Sequence, residues 1–263
     1  MLFLPVVAIM FLIQEPPLAA AGWKLTWHDE FDTEQLDMTK WSYVTGGSGF
    51  GNNELEYYTS RPENVSVRDG MLVIQAIKQS YTGPDGVKRD YTSARLQTAG
   101  KFAQAYGRFE AQMKIPCGQG MWPAFWMMGE GDTMWPDRGE IDVMENIGRE
   151  PSTVHGTIHG PGYSGANGIS SPFSLPDGQR FCDDFHLFAI EWEPNTIRWY
   201  SDTHLYRTIT PADLPSGSRW VYDRPFFLLL NVAIGGGWPG SPDRSTTFPK
   251  SMYVDYVRAY EKQ

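Results

Sequence analysis

The chain is poor in cysteine, in basic charge and in long apolar runs. Two cysteines, Cys117 and Cys182, stand among 263 residues, too few for a disulfide-framework miniprotein or a thiolate metal centre. Basic residues number 22 against 31 acidic ones, a net charge of −9. Such a surface repels phosphate and sulfate, so neither nucleic acid nor a sulfated polysaccharide is expected as a partner. Beyond the first thirteen residues no apolar stretch approaches the ~20 residues that a membrane-spanning helix needs. Ser/Gly linkers, charge runs and internal repeats are also missing, so no domain boundary is visible. Segments of helical period are scarce, which sets aside coiled coils and solenoids.

What the chain has instead is punctuation and alternation. With 27 glycines and 19 prolines the backbone turns often. Between the turns lie period-two segments: Trp23 to Trp27, Met71 to Ile77, Thr92 to Thr98, Tyr106 to Ile115, Ala124 to Met128, Glu140 to Ile147, Thr153 to His159, His186 to Glu193, Thr196 to Ser201, Phe226 to Ala233 and Met252 to Tyr260. Arg108 to Lys114 alternates as a strand with one wet face does, and Phe226 to Val232 reads as a strand covered on both sides. The expected fold is all-β, two stacked antiparallel sheets, with one short helical turn at Glu34 to Trp41. Ten Trp and thirteen Tyr exceed what a core of this size needs, and ring faces make good platforms for the C–H side of a sugar.

Residues 1–21 read as a signal peptide and 22–263 as a single domain. Met1 to Ile13 is uncharged and apolar, and Ala19-Ala20-Ala21 before Gly22 supplies a small-residue cleavage pattern, although no Lys or Arg precedes the apolar run. Export to the extracellular space or periplasm follows, with no membrane association once the segment is removed. In an oxidising compartment Cys117, at the end of one strand, and Cys182, just before His186 to Glu193, are expected to pair if those strands are antiparallel neighbours.

The chemistry concentrates in Gly139-Glu140-Ile141-Asp142-Val143-Met144-Glu145-Asn146. Glu140 and Asp142 share a face of a regular strand, but Glu145 falls on the other. A β-bulge near Val143 or Met144 restores the parity. A helix fails, since positions five apart are rotated by about 140°. Three carboxyls on one face cannot all ionise cheaply, so at least one must hold its proton toward neutrality. That suits a nucleophile beside a proton donor, as in a retaining glycosidase. An oxygen-rich cluster also suits a hard cation. His155 and His159, four apart on one strand face, could pass for a metal pair, but no third ligand is signalled nearby.

These residues resemble the laminarinases, endo-1,3-β-glucanases of glycoside hydrolase family sixteen. The segments that carry the likeness are WHDEFD at 27–32, NNELEYYT at 52–59, YTSARL at 91–96, WPAFWM at 122–127, GEIDVMENIG at 139–148, VHGTIHGPGYSG at 154–165 and GGGWPG at 235–240. The resemblance implies a β-jelly-roll sandwich of concanavalin A type with an open substrate cleft. It implies Glu140 as nucleophile, Asp142 as its electrostatic helper and Glu145 as acid/base. Asn53, Arg95, Trp122, Trp126, Trp135, His159 and Trp238 are implied to bind substrate, His159 close to Asp142. The resemblance further implies a structural Ca²⁺ held by Asp255 with the backbone carbonyls of Glu30 and Gly70, and no cofactor for catalysis. The partner is then a laminarin-like β-glucan, cut by a double displacement, with a non-catalytic β-glucan recognition protein or a related hydrolase of mixed-linkage glucan or agar as the alternatives on the same fold, and the protein is expected to work as a monomer.

Overall fold

The computed structural model describes residues 22–263; the signal-peptide expectation falls on residues 1–21, outside them. Seventeen strands appear among the described residues: β1 (Trp23–Asp29), β2 (Ser42–Tyr43), β3 (Glu56–Tyr58), β4 (Val65–Arg68), β5 (Met71–Thr82), β6 (Lys88–Ser93), β7 (Arg95–Gln97), β8 (Gly107–Lys114), β9 (Met121–Gly129), β10 (Glu140–Glu145), β11 (Thr153–His159), β12 (Ile169–Ser174), β13 (His186–Glu193), β14 (Thr196–Ser201), β15 (His204–Ile209), β16 (Phe226–Ile234) and β17 (Lys250–Lys262). Helix is confined to two single turns, Gly165–Asn167 and Pro211–Asp213. At Glu34 to Trp41 only one hydrogen-bonded turn forms, the Trp41 N–H donating to the Asp37 carbonyl. No helix of the described residues is long and apolar enough to cross a membrane.

The strands build two sheets. One runs β12-β11-β10-β9-β16-β7-β2, and the other β15-β14-β13-β8-β17-β5-β6-β3, with β1 on β17 and β4 on β5. Pairing is antiparallel except for β3 beside β6, which is parallel. The expected strand over Thr92 to Thr98 is in fact two, since the chain leaves the larger sheet at Ser93 and enters the smaller one at Arg95. Ala94, fully buried at the crossing, leaves the apolar alternation unbroken, which is why the sequence reads as one strand.

Alternation decides what each sheet covers. Ile141, Phe125, Met127, Leu228, Leu230 and Val232 of the smaller sheet point into the main core, where they meet Phe109, Ile190, Trp192 and Trp199 of the larger one. Their neighbours Ala124, Trp126, Phe227 and Leu229 form a separate cluster on the outer face of the smaller sheet. All nine residues of β16 are buried, as its apolar run suggests. On β8 the alternation hides an exception: Glu110 is buried, held by Arg108 at 2.7 Å and by the Tyr260 hydroxyl at 2.9 Å. Cys117 and Cys182 are bonded, with Cα atoms 5.7 Å apart, where β8 and β13 run antiparallel.

Candidate active site

The three acids lie on the central part of the smaller sheet. Against β9, Asp142 pairs with Trp126 and Met144 with Phe125, so Val143 is the extra residue. The same irregularity faces β11, where Asp142 pairs with Thr157 and Glu145 with His155. The bulge turns Val143 and Met144 into the core and leaves Glu140, Asp142 and Glu145 on the outer face. It also diverts the Asp142 carbonyl, which accepts the indole N–H of Trp199 from the opposite sheet at 2.8 Å. Gly156 of β11 lets that indole in, because a Cβ there would sit 2.3 Å from Trp199 Cδ1.

Each glutamate has an indole donor of its own. Trp135 Nε1 donates to Glu140 Oε2 at 2.7 Å, and Trp122 Nε1 to Glu145 Oε1 at 3.0 Å. His159 Nε2 lies 3.2 Å from Asp142 Oδ2 and 3.9 Å from Glu140 Oε1. Burial, then the charge of Asp142, pushes the Glu140 carboxyl up to about 8, with His159 and the Trp135 bond acting against the rise. Burial also raises Asp142, and burial with Asp142 raises Glu145 well above the usual carboxylate range. The free site therefore holds protons near neutrality that isolated carboxyls would have lost, and its carboxyls titrate as one coupled group.

The other residues singled out in the sequence are distributed around this centre. Trp238 stands edge-on to Trp122 at 5.6 Å and to His155 at 5.0 Å, with Arg149 bonded to its carbonyl. His155 is thus a neighbour of Trp238, and burial lowers its pKa and keeps the ring neutral. Trp135 is 43% exposed and its ring lies 6.2 Å from His159, so it can offer a face to a sugar. Trp126 differs from the expectation of an open platform. It is 8% exposed, its N–H goes to Asn231 Oδ1, and the Arg95 guanidinium covers its ring at 4.7 Å. Arg95 itself is wedged between Trp126 and Phe50. Asn53 is exposed in the loop before β3, with a left-handed φ of 59°.

Asp255 sits at a second bulge, between Val254 and Tyr256 of β17, and faces solvent. Burial, Glu30 and Asp32 together raise its carboxyl. The Glu30 side chain is taken by Arg258 through two bonds of 2.7 and 2.8 Å, leaving its carbonyl as the donor for any ion. Gly70 closes the β4–β5 hairpin with φ 73°, next to Asp69 at 53°. Sequence reasoning missed one buried polar group altogether, built from Glu54, Glu56, Tyr58 and Asn231. Acids hemmed in by Leu55, Tyr57 and Tyr58 were the available signal.

A family model, glycosyl hydrolases family 16, matches residues 52–258. A β-glucanase of Rhodothermus marinus is 44% identical over 254 residues, covering 92% of this chain and 86% of that protein. The glucan endo-1,3-β-glucosidase A1 of Niallia circulans is 38% identical over 264 residues, which cover 93% of this chain and 39% of that longer protein. Among solved structures, the endo-β-1,3-glucanase of Pyrococcus furiosus has a TM-score of 0.89 at 46% identity, covering 92% of this chain and 95% of the other. The laminarinase catalytic domain of Thermotoga maritima gives 0.87 at 47% identity, covering 92% and 99%. With this match over most of its length, and a jelly-roll sandwich that carries its three acids on one outer face, the chain belongs to glycoside hydrolase family sixteen.

Proposed function

We propose that the protein is a secreted, retaining endo-β-1,3-glucanase acting on laminarin-like glucans. The observation that carries this reading is the bulged strand, which sets Glu140 and Glu145 on one face with a separate indole donor each and Asp142 in the sequence between them. The named activities of the relatives support the substrate class. Glu140, once ionised, attacks the anomeric carbon while Glu145 gives its proton to the glycosidic oxygen. The C–O bond to the leaving sugar breaks as the bond to Glu140 forms. Glu145, now a carboxylate, takes a proton from water as that water displaces Glu140 from the opposite side, and two inversions give retention. Trp135 and Asp142 tune the nucleophile: the indole favours the carboxylate and Asp142 favours the acid.

The same reading includes a structural Ca²⁺ at Asp255 with the carbonyls of Glu30 and Gly70. The Asp255 carboxyl, raised by partial burial and then by the neighbouring acids Glu30 and Asp32, is relieved by a cation, so the donor set fits a hard ion. The ion would neutralise that acidic surplus and tie β17 to the β4–β5 hairpin, away from the reacting carboxyls.

Incubation with laminarin, curdlan, lichenan and agarose, with the products resolved by size, tests the reading. Laminarin should yield a ladder of oligosaccharides, and Glu140→Ala should abolish it. Agarose cleavage with laminarin left intact would overturn it.

A further inference from the structure

Behind Trp126 lies the buried acid pair Glu54 and Glu56. Both oxygens of Glu54 accept from neutral donors, Asn52 Nδ2 at 3.0 Å and the Tyr58 hydroxyl at 2.9 Å. Tyr58 in turn accepts from Asn231 Nδ2 at 3.1 Å, and Asn231 Oδ1 holds the indole N–H of Trp126. Glu56 Oε2 accepts the Ile234 amide at 2.6 Å, while its Oε1 is buried with no partner. A bare carboxylate oxygen there is costly. A proton on Glu56 Oε1 lessens that cost. Burial and the charge of Glu54 hold the Glu56 proton well above the ordinary range.

The pair is tied to the rim of the site through Asn52. Its side chain is held by Glu54, and its carbonyl accepts the Gly237 amide at 2.9 Å. Gly237 precedes Trp238, which stands against Trp122, the donor to Glu145. Asn53, next along the chain, is the exposed residue expected to touch substrate. Leu55 fixes the same loop by its amide on the Ile234 carbonyl at 2.8 Å. One carboxylate thus anchors the segment that presents Asn53, the segment that presents Trp238 and, through Tyr58 and Asn231, the indole under Arg95.

We propose that Glu54 and Glu56 are positioning residues: a buried acid pair that seats the 49–55 and 235–240 segments and so fixes where the glucan lies relative to Glu140 and Glu145. This rests on the glucanase reading. The charged and titratable groups around the pair are Tyr58 on its own strand and Arg95 on β7, which acts on Tyr58. β16 presents the neutral Asn231 and the Ile234 amide, and β6 pairs with β3 through Tyr91, Thr92 and Ser93, none of them charged. Loss of the Glu56 proton at alkaline pH leaves a buried carboxylate with an unpaired oxygen and loosens the loops, which raises KM and spares kcat.

Three variants test this, Glu54→Gln, Glu56→Gln and Glu56→Leu, each read by kinetics on laminarin oligosaccharides and by amide hydrogen exchange of segment 235–240. Glu54→Gln points an amide N–H at groups that are themselves donors. It should raise KM by about 10-fold with kcat changed by less than about 3-fold, and speed exchange in 235–240. Glu56→Gln keeps the acceptor for the Ile234 amide and cannot ionise, so it should rescue the neutral-pH KM that Glu56→Leu loses, and flatten the alkaline rise in KM of the wild type. If Glu54→Gln changes neither KM nor exchange, or if Glu56→Gln behaves as Glu56→Leu does, the pair does not position substrate. Should the wild type cleave no β-glucan, the functional reading fails instead, and the exchange data alone still decide whether Glu54 anchors the 235–240 segment.

Discussion

Trp199, on the larger sheet, reaches across the core to donate its indole N–H to the backbone carbonyl of Asp142 on the smaller one. The bulge that brings three acids to one face would otherwise leave that carbonyl buried and unpaired, at a cost of about 1–3 kcal/mol. The bond therefore links core packing to the register of the strand that carries the three acids.

Trp199→Phe keeps the apolar ring and removes the donor. Stability should fall by about 1–3 kcal/mol, and kcat should drop by about 10-fold while KM changes little, since the carboxyls shift and the rest of the cleft does not. Denaturant unfolding and steady-state kinetics check this. An unchanged kcat would mean that the bulge holds its register without the indole.

Trp135→Phe tests the donor to Glu140 separately. The indole bond lowers the Glu140 pKa, so its loss moves the acid limb of kcat/KM to higher pH. Below that limb the variant should lose about 10-fold in kcat/KM, and the two profiles should converge on the alkaline side. A uniform loss at every pH would assign Trp135 to substrate stacking alone.

The raised carboxyls also carry a stability signature. Glu140 titrates at about 8 in the fold against an ordinary value of 4.5, so the folded chain binds a proton that the unfolded chain has lost across that window, and stability falls as pH rises through it. Glu140→Gln removes the titration. Its melting temperature should match the wild type near pH 4.5 and exceed it by ~10 °C at pH 8. A variant less stable at both values would contradict the strain assigned to this carboxyl.

Much of this site was legible because parity in a strand is strict. Glu145 fell on the wrong side of a regular strand, and only a bulge could correct it; the structure places that bulge at Val143. The eleven alternating segments carry strands for the same reason. What stayed hidden depends on partners distant in sequence. The break at Ala94 changes the sheet without changing the pattern. β12 carries Pro172 and only two apolar residues at an edge, and β15 is half polar, so neither has a strong apolar rhythm. The burial of Glu56 is not visible in the local pattern, because its partner, the Ile234 amide of β16, lies far along the chain. The resemblance implies a substrate-binding Trp126, but Arg95 from another strand covers its ring.

Chelation separates the calcium proposal from the chemistry. EDTA should lower the melting temperature by several degrees, about what loss of a ligand bound at 100 times its Kd gives, with the initial rate at low temperature retained. Asp255→Ala should melt at the chelated value whether or not Ca²⁺ is added. A wild type whose melting is indifferent to both would remove the ion from the account.

The assignment of nucleophile and acid/base is tested most directly by the anomer formed first. Proton NMR of the wild-type reaction on a laminarin oligosaccharide should show the β-anomer at the earliest times, with the α-anomer growing in at the rate of mutarotation. Glu140→Ala with azide and an activated donor should give the α-glycosyl azide, and Glu145→Ala the β-product. An α-anomer appearing first in the wild-type reaction would contradict the roles given to both glutamates.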